Sequence, residues 1–266
     1  MTRTESEVSD SDAEEAVLSE RIANLSLESD SGPVLVPFTS ADVELWKDFC
    51  QFRRNRKTWD AYRQEEWKKH HPPHIHELFK NWPILETPRL RLRLLREEDA
   101  EAVFRVTSDE KSMKYYGTVP HKDLEHTKKN FVEIFVSRFK LRDAACFVVT
   151  LKNENSTTVP DEYIGHINIF GFDRPFKFAE IAYILDPAYW GRGIATEAVG
   201  RVVEFLMKDM KIHKIRAGCY AENVSSRRVL ERCGFKQEGC LRDNVMIDGK
   251  YVDEYLWAII ATELDA

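Results

Sequence analysis

Glu180-Ile-Ala-Tyr-Ile-Leu-Asp-Pro-Ala-Tyr-Trp-Gly-Arg-Gly-Ile-Ala-Thr-Glu-Ala198 is the stretch on which the fold turns. Ile181, Tyr183 and Leu185 alternate with Glu180, Ala182 and Ile184, the period-2 pattern of a strand. Asp186-Pro187 ends it, because proline has no N–H for a ladder. Gly191 and Gly193 allow a sharp turn and a close approach of backbone N–H groups to a ligand. Ile194, Ala198, Val199, Val202, Val203, Leu206 and Met207 then fall on one helical stripe. A glycine turn opening a helix presents unpaired N–H groups and the positive end of the helix dipole, which favours an anion such as a pyrophosphate. Taken alone, the same turn also fits a helix start that binds nothing.

Two nucleotide motifs are excluded. No Gly-x-x-x-x-Gly-Lys-Ser/Thr loop occurs, and Thr196 stands where Gly-x-Gly-x-x-Gly needs its third glycine. The chain of 266 residues is long enough for one domain and an extension. No apolar run approaches the roughly 20 residues of a membrane span, and no secretory leader is expected. Cys50, Cys146, Cys219, Cys233 and Cys240 are scattered, which favours free thiols, a reducing compartment and a cytoplasmic location over a disulfide framework or zinc site. The net charge of -6 belongs to the first thirty residues, which hold nine acids and two arginines. The remainder is near neutral, so the overall acidity says little about the domain's partners.

Residues 1–33 read as a disordered acidic tail. Within it Leu18, Ile22, Leu25 and Leu27 fit a partly helical segment or a leucine-rich export signal, the latter implying nuclear shuttling. Residues 34–83 read as a helical aromatic and basic extension, in which Trp46, Phe49, Phe52, Trp59, Tyr62 and Trp67 alternate with lysines and arginines. The extension either packs its aromatics on the main domain or offers residues 45–70 to a ribosome or RNA; Asp48, Asp60, Glu65 and Glu66 dilute its charge and favour packing. His70, His71, His74 and His76 flank two prolines and are expected in a polar loop, with no metal site. The main domain, 84–266, is expected to begin with a strand at Leu90–Leu94. Helices at Glu97–Thr107 and Asp123–Lys140 follow, the second burying Phe131, Ile134, Phe135 and Phe139. A strand is expected at Cys146–Leu151, a polar loop at 153–161, and a hairpin of Tyr163–Phe170 with Phe178–Leu185. Beyond the glycine-turn helix lie a strand at Lys214–Tyr220, a helix from about Val224 to Cys233, and a hairpin turning at Asp248-Gly249.

Asn223-Val-Ser-Ser-Arg-Arg-Val-Leu-Glu-Arg-Cys-Gly-Phe235 is a short helix capped by Asn223 and stopped by Gly234. Together with the opening stretch it becomes specific. Trp190-Gly-Arg-Gly-Ile-Ala195 resembles the acyl-coenzyme A loop of the GNAT N-acetyltransferases, and Asn223 to Phe235 resembles the helix that follows it there. Thr87-Pro-Arg-Leu-Arg-Leu-Arg93, Tyr189 to Ala198, and Asn223-x-x-Ser226-x-x-Val229-Leu230 resemble the RimJ/RimL branch, which acetylates protein N-termini and has the polyamine acetyltransferase SpeG among its relatives. The resemblance covers about Ile84 to Ile260 and leaves the first eighty residues unexplained.

It implies an α+β (mixed α/β) fold with a central, mostly antiparallel sheet that splays at the cofactor site and is flanked by helices. It also implies acetyl-coenzyme A as co-substrate. Pantetheine would pair with backbone of Ala182, Tyr183 and Ile184, and pyrophosphate would be held by Trp190, Gly191, Arg192, Gly193, Ile194 and Ala195. Asn223 and Ser226 would lie along the pantetheine arm. Attack of an amine on a thioester needs a proton acceptor and a donor for the developing charge. Glu180 is the candidate base, with an exposed acid that merely attracts a cation as its alternative. Asp253, in the last hairpin, is a candidate to bind the amine, or else a solvated acid; the thiolate either leaves directly or takes a proton from Ser225, Ser226, Cys219 or Tyr220, none of which spacing favours. Leu230 occupies the position where many relatives carry a tyrosine acid. The expected activity is acetylation of a protein or peptide N-terminal α-amine. A small amine, such as a polyamine or amino sugar, and a non-catalytic coenzyme A-binding scaffold are the alternatives.

Overall fold

The computed structural model describes residues 73–152, 162–171 and 178–264, with side chains from Glu77 onward. The acidic tail, residues 34–72 and the loop expected at 153–161 lie outside the described residues. Eight strands form one sheet: β1 Leu85–Glu86, β2 Leu90–Leu94, β3 Ala144–Leu151, β4 Glu162–Phe170, β5 Phe178–Leu185, β6 Lys214–Tyr220, β7 Lys236–Ile247 and β8 Lys250–Ile260. Their order is β1-β2-β3-β4-β5-β6-β8-β7. Every pairing is antiparallel except β5 with β6. That parallel seam has three residue pairs, Phe178↔Lys214, Ala179↔Ile215 and Glu180↔Arg216. Beyond Glu180, β5 pairs only with β4 and β6 only with β8, so the sheet splays. The mixed, splayed sheet is the architecture that the resemblance implied.

Among the described residues seven α-helices lie in this frame: α1 Pro73–Lys80, α2 Ala100–Thr107, α3 Glu110–Met113, α4 Leu124–Thr127, α5 Glu133–Lys140, α6 Ile194–Glu204 and α7 Val224–Arg232. One sheet face packs on α6, whose Ile194, Ala198, Val199, Val202 and Val203 are all buried, as the helical stripe required. Phe79 of α1 and the ring of Trp82 join this core; Trp82 lies 5.2 Å from Phe139, 5.5 Å from Phe147 and 5.4 Å from Phe205 between ring centroids. The segment expected as an extension therefore contributes its last residues to the domain core. The other face packs on α2, on α5 and on the turn between α4 and α5 through Val103, Val106, Phe131, Val132 and Phe135.

Two local expectations change. The second proline of the histidine-rich stretch, Pro73, opens α1, where its missing N–H costs nothing. The backbone of His74 and His76 is thus helical, not loop. Between α4 and α5, Lys128–Val132 forms a π turn in which the Glu133 N–H bonds to the Lys128 carbonyl. That extra residue rotates the helix register. Val132 turns inward, 1% exposed, and Ile134 turns out, 41% exposed, the reverse of the uninterrupted 3.6-residue reading.

Candidate active site

Strand β5 stops at Leu185, and a 3-10 turn, Pro187–Tyr189, leads to the glycine bend. The Trp190 indole donates its N–H to the Leu185 carbonyl at 2.7 Å and braces the end of β5. Gly191 and Gly193 both have φ of 74°, in the left-handed region where a side chain is strained. A Cβ at Gly191 would meet nothing within 4 Å, so the space over the bend is open. Gly193 is the N-cap of α6, and the N–H groups of Ile194, Ala195 and Thr196 have no intrahelical acceptors. Open space, left-handed glycines and a helix N-terminus fit a pyrophosphate. Next to it, the splay leaves the β6-facing edge of Ala182, Tyr183 and Ile184 without a sheet partner, which fits the amides of pantetheine.

Tyr183 and α7 build one wall of the opening. The Tyr183 hydroxyl donates to the Ser226 carbonyl at 3.2 Å and lies 2.7 Å from Ser226 Oγ. Burial drives the Tyr183 phenol well above its ordinary pKa, so it stays protonated and can donate. Asn223 caps α7 by accepting the Ser226 N–H at 3.1 Å. Cys219 Sγ lies 3.6 Å from the Asn223 carbonyl. Leu230 is fully buried in the core and cannot reach a leaving thiolate in any role.

The bend is clamped from a distance. Glu197, in the first turn of α6, accepts from the Thr87 hydroxyl, from Arg89 N–H at 3.1 Å and from Arg89 Nε at 2.7 Å. Arg89 Nη1 also donates to the Arg192 carbonyl inside the bend, at 2.9 Å. Thr87-Pro-Arg89 stands out in the sequence, but nothing there links it to Glu197. Burial alone would raise the Glu197 pKa; the bonds from Thr87 and Arg89 outweigh it and hold the carboxyl below its ordinary 4.5. A carboxyl lowered on folding stabilises the protein above its unfolded pKa and loses that contribution as pH falls through the folded value. Glu197→Gln is therefore expected to lower the unfolding midpoint at neutral pH. The gap from wild type should close as pH falls through the lowered folded-state value of Glu197. Thermal melts across that range test it, and a gap independent of pH would show that the charge is not what matters.

Glu180 projects at the last paired position of the seam, with its side chain 55% exposed. Arg216 Nη2 lies 3.8 Å from Glu180 Oε2, and its guanidinium stacks 4.2 Å from the Phe178 ring centroid. An ion pair this exposed holds Glu180 loosely. Asp253 is not brought to this group. Alternation along β8 puts it on the face of Tyr255, Trp257 and Ile259, which pack on the α6 core, whereas Glu180 and Arg216 share the opposite face. Asp253 Oδ1 instead accepts the Asp243 N–H at 3.0 Å, fixing an irregularity in β7.

A buried polar group beside Ala182 and Ile184 of β5 has no signal in the sequence. The Tyr116 hydroxyl lies 2.9 Å from His166 Nε2, Tyr163 lies 2.7 Å from His166 Nδ1, and Asn168 Nδ2 donates to Tyr116 at 2.7 Å. Burial pushes the His166 pKa to about 3, so the ring stays neutral and this group positions rather than titrates.

Residues 89–236 match the acetyltransferase (GNAT) domain family. The chain is 32% identical over 181 residues to the uncharacterized N-acetyltransferase YnaD of Bacillus subtilis, covering 67% of this chain and 98% of that one. It is 24% identical over 165 residues to the spermidine N(1)-acetyltransferase of Vibrio cholerae, covering 62% and 89%. The solved structure of ribosomal-protein-S5-alanine acetyltransferase from Vibrio fischeri matches with a TM-score of 0.59 at 26% identity, over 68% of this chain and 98% of that one.

Proposed function

The chain belongs to the GNAT acetyltransferase family, and from that premise we propose that it acetylates the N-terminal α-amine of a protein or peptide, as a member of the RimJ/RimL-like branch. It is an N-acetyltransferase with acetyl-coenzyme A as co-substrate. Bound acetyl-coenzyme A supplies the activated acetyl thioester.

The observation that carries the acceptor proposal is the setting of Glu180. Glu180, a loosely held, half-exposed carboxylate, stands at the apex of the splay. An α-amine has a pKa of about 7.7–8.0 and is partly neutral at pH 7; an alkyl amine with a pKa of about 10.4 is almost wholly protonated. A carboxylate base has less to do for the first kind of nucleophile, part of which is already neutral, than for the second. Glu180 takes the amine's proton, the bend N–H groups hold the pyrophosphate, and Ser226, oriented by Tyr183, faces the departing sulfur. The relative that acts on ribosomal protein S5 alanine supports this reading. The relative that acts on spermidine supports a polyamine acceptor as the second reading. Ribosome or RNA contact through residues 45–70 belongs to the first reading and lies outside the described residues. No described helix is long and apolar enough to cross a membrane.

The test is thiol release from acetyl-coenzyme A with peptides of varied first residue, spermidine and an amino sugar. A kcat/KM for some peptide at least about tenfold above both small amines is expected; the reverse order overturns the α-amine proposal. Acetyl-coenzyme A binding without turnover on any amine would leave only a scaffold.

A further inference from the structure

The seam face holds a second carboxylate that the sequence did not single out. On β6, Arg216, Gly218 and Tyr220 share the face of Glu180, while Ile215, Ala217 and Cys219 are buried on the other. Tyr220 pairs in register with Glu254 of β8. The Glu254 carboxylate lies over Gly218, and a Cβ at 218 would overlap its Oε1. Gly218 has no left-handed φ, so backbone conformation does not call for glycine there. What its missing side chain provides is room for the carboxylate.

The carboxylate is also held. Asn244 Nδ2 donates to Glu254 Oε2 at 2.7 Å. Asn244 sits in the β7 irregularity between Leu241 and Val245, where Asp243 has φ of 50° and is tied by Asp253. Asp253 thus acts from the far face, fixing the backbone that presents Asn244.

Charge completes the case. Of the two seam cations, Arg216 faces Glu180 and Lys214 is paired with Glu238 at 2.7 Å. Lys114, on the same side, is paired with Asp248 at 3.1 Å. Glu254 has no ion pair among the described residues; its hydrogen-bond partner is a neutral amide. Its charge also reaches Tyr220, whose phenol is raised by burial and by Glu254. A carboxylate held by a neutral amide keeps its charge for an incoming cation.

We propose that Glu254 is the residue that binds the cationic acceptor amine beside the splay, placed there by the gap at Gly218 and the brace of Asn244. This rests on the chain being an amine acetyltransferase, but not on the amine being an α-amine. Glu254 captures the ammonium form; Glu180 takes one proton, which frees the nitrogen lone pair to attack the thioester carbonyl, and the second N–H proton leaves with the departing sulfur, which is released as the thiol.

Two variants test it. Glu254→Gln keeps the shape and the Asn244 bond but removes the charge. Gly218→Ala keeps the charge but displaces the carboxylate, and a flexible side chain can yield without unfolding the sheet. In both, KM for the acceptor should rise about 10- to 100-fold, kcat should change less than about threefold, and acetyl-coenzyme A affinity should hold. Added salt should weaken acceptor use by wild type more than by Glu254→Gln. An unchanged acceptor KM in Glu254→Gln overturns the proposal, as does wild-type protein that takes up neither peptide nor spermidine in turnover or titration. If spermidine is used and peptides are not, the α-amine proposal falls, and the variant-to-wild-type KM ratio for spermidine still decides the role of Glu254.

Discussion

The double variant Gly191→Val/Gly193→Val is expected to lose at least about 100-fold in acetyl-coenzyme A affinity, measured by titration calorimetry. Two effects add. Valine at φ of 74° costs about 1–2 kcal/mol at each position, so the bend shifts toward another conformation. The new side chains also stand where a pyrophosphate must approach the N–H groups of Ile194 and Ala195. The domain should still fold, because a Cβ at Gly191 meets nothing within 4 Å and one at Gly193 comes only within 3.7 Å of the Arg89 guanidinium. Gly191→Ala alone separates backbone strain from bulk. A double variant with affinity within threefold of wild type would remove the bend from the cofactor site.

Glu180→Gln is expected to lower kcat at pH 7 by about 10²- to 10⁴-fold, with acetyl-coenzyme A affinity unchanged. The pH profile tells a base from a mere attractor of cations. Without a base, the rate follows the fraction of amine already neutral, so the variant should recover toward wild type as pH rises past the amine's pKa, about 8 for an α-amine. An attractor would raise acceptor KM and leave the slope of the profile alone. A kcat within threefold of wild type at all pH values would leave Glu180 outside the chemistry.

The spine of the domain was legible in the sequence because local pattern and burial agree there. Strand β5 alternates, α6 carries a continuous apolar stripe, and β6 is bounded as its residues suggested. Elsewhere local pattern was overruled. The π turn at Lys128–Val132 leaves no mark in composition, so the apolar pattern points Ile134 inward and gives no sign of Val132. Strand β7 begins at Lys236, about nine residues before the apolar run that announced it, because its outer positions are polar and its register slips twice. The cofactor wall followed from glycine and capping chemistry. The Arg89–Glu197 clamp did not, since 108 residues separate partners that only the fold brings together. The adjacent acids Asp253 and Glu254 show the limit most plainly. Neighbours in a strand face opposite ways, and only the pairing of β8 with β6 says which one looks toward Glu180.

The two-sidedness of β8 also makes the enzyme adjustable. Trp257 and Ile259 anchor the strand in the core, while Glu254 and Leu256, on the reverse side, carry no share of that anchorage. Alternate positions of a single ribbon can be rewritten to favour a new nucleophile while the machinery for the thioester is inherited intact. A laboratory seeking altered selectivity would randomise those outer positions first.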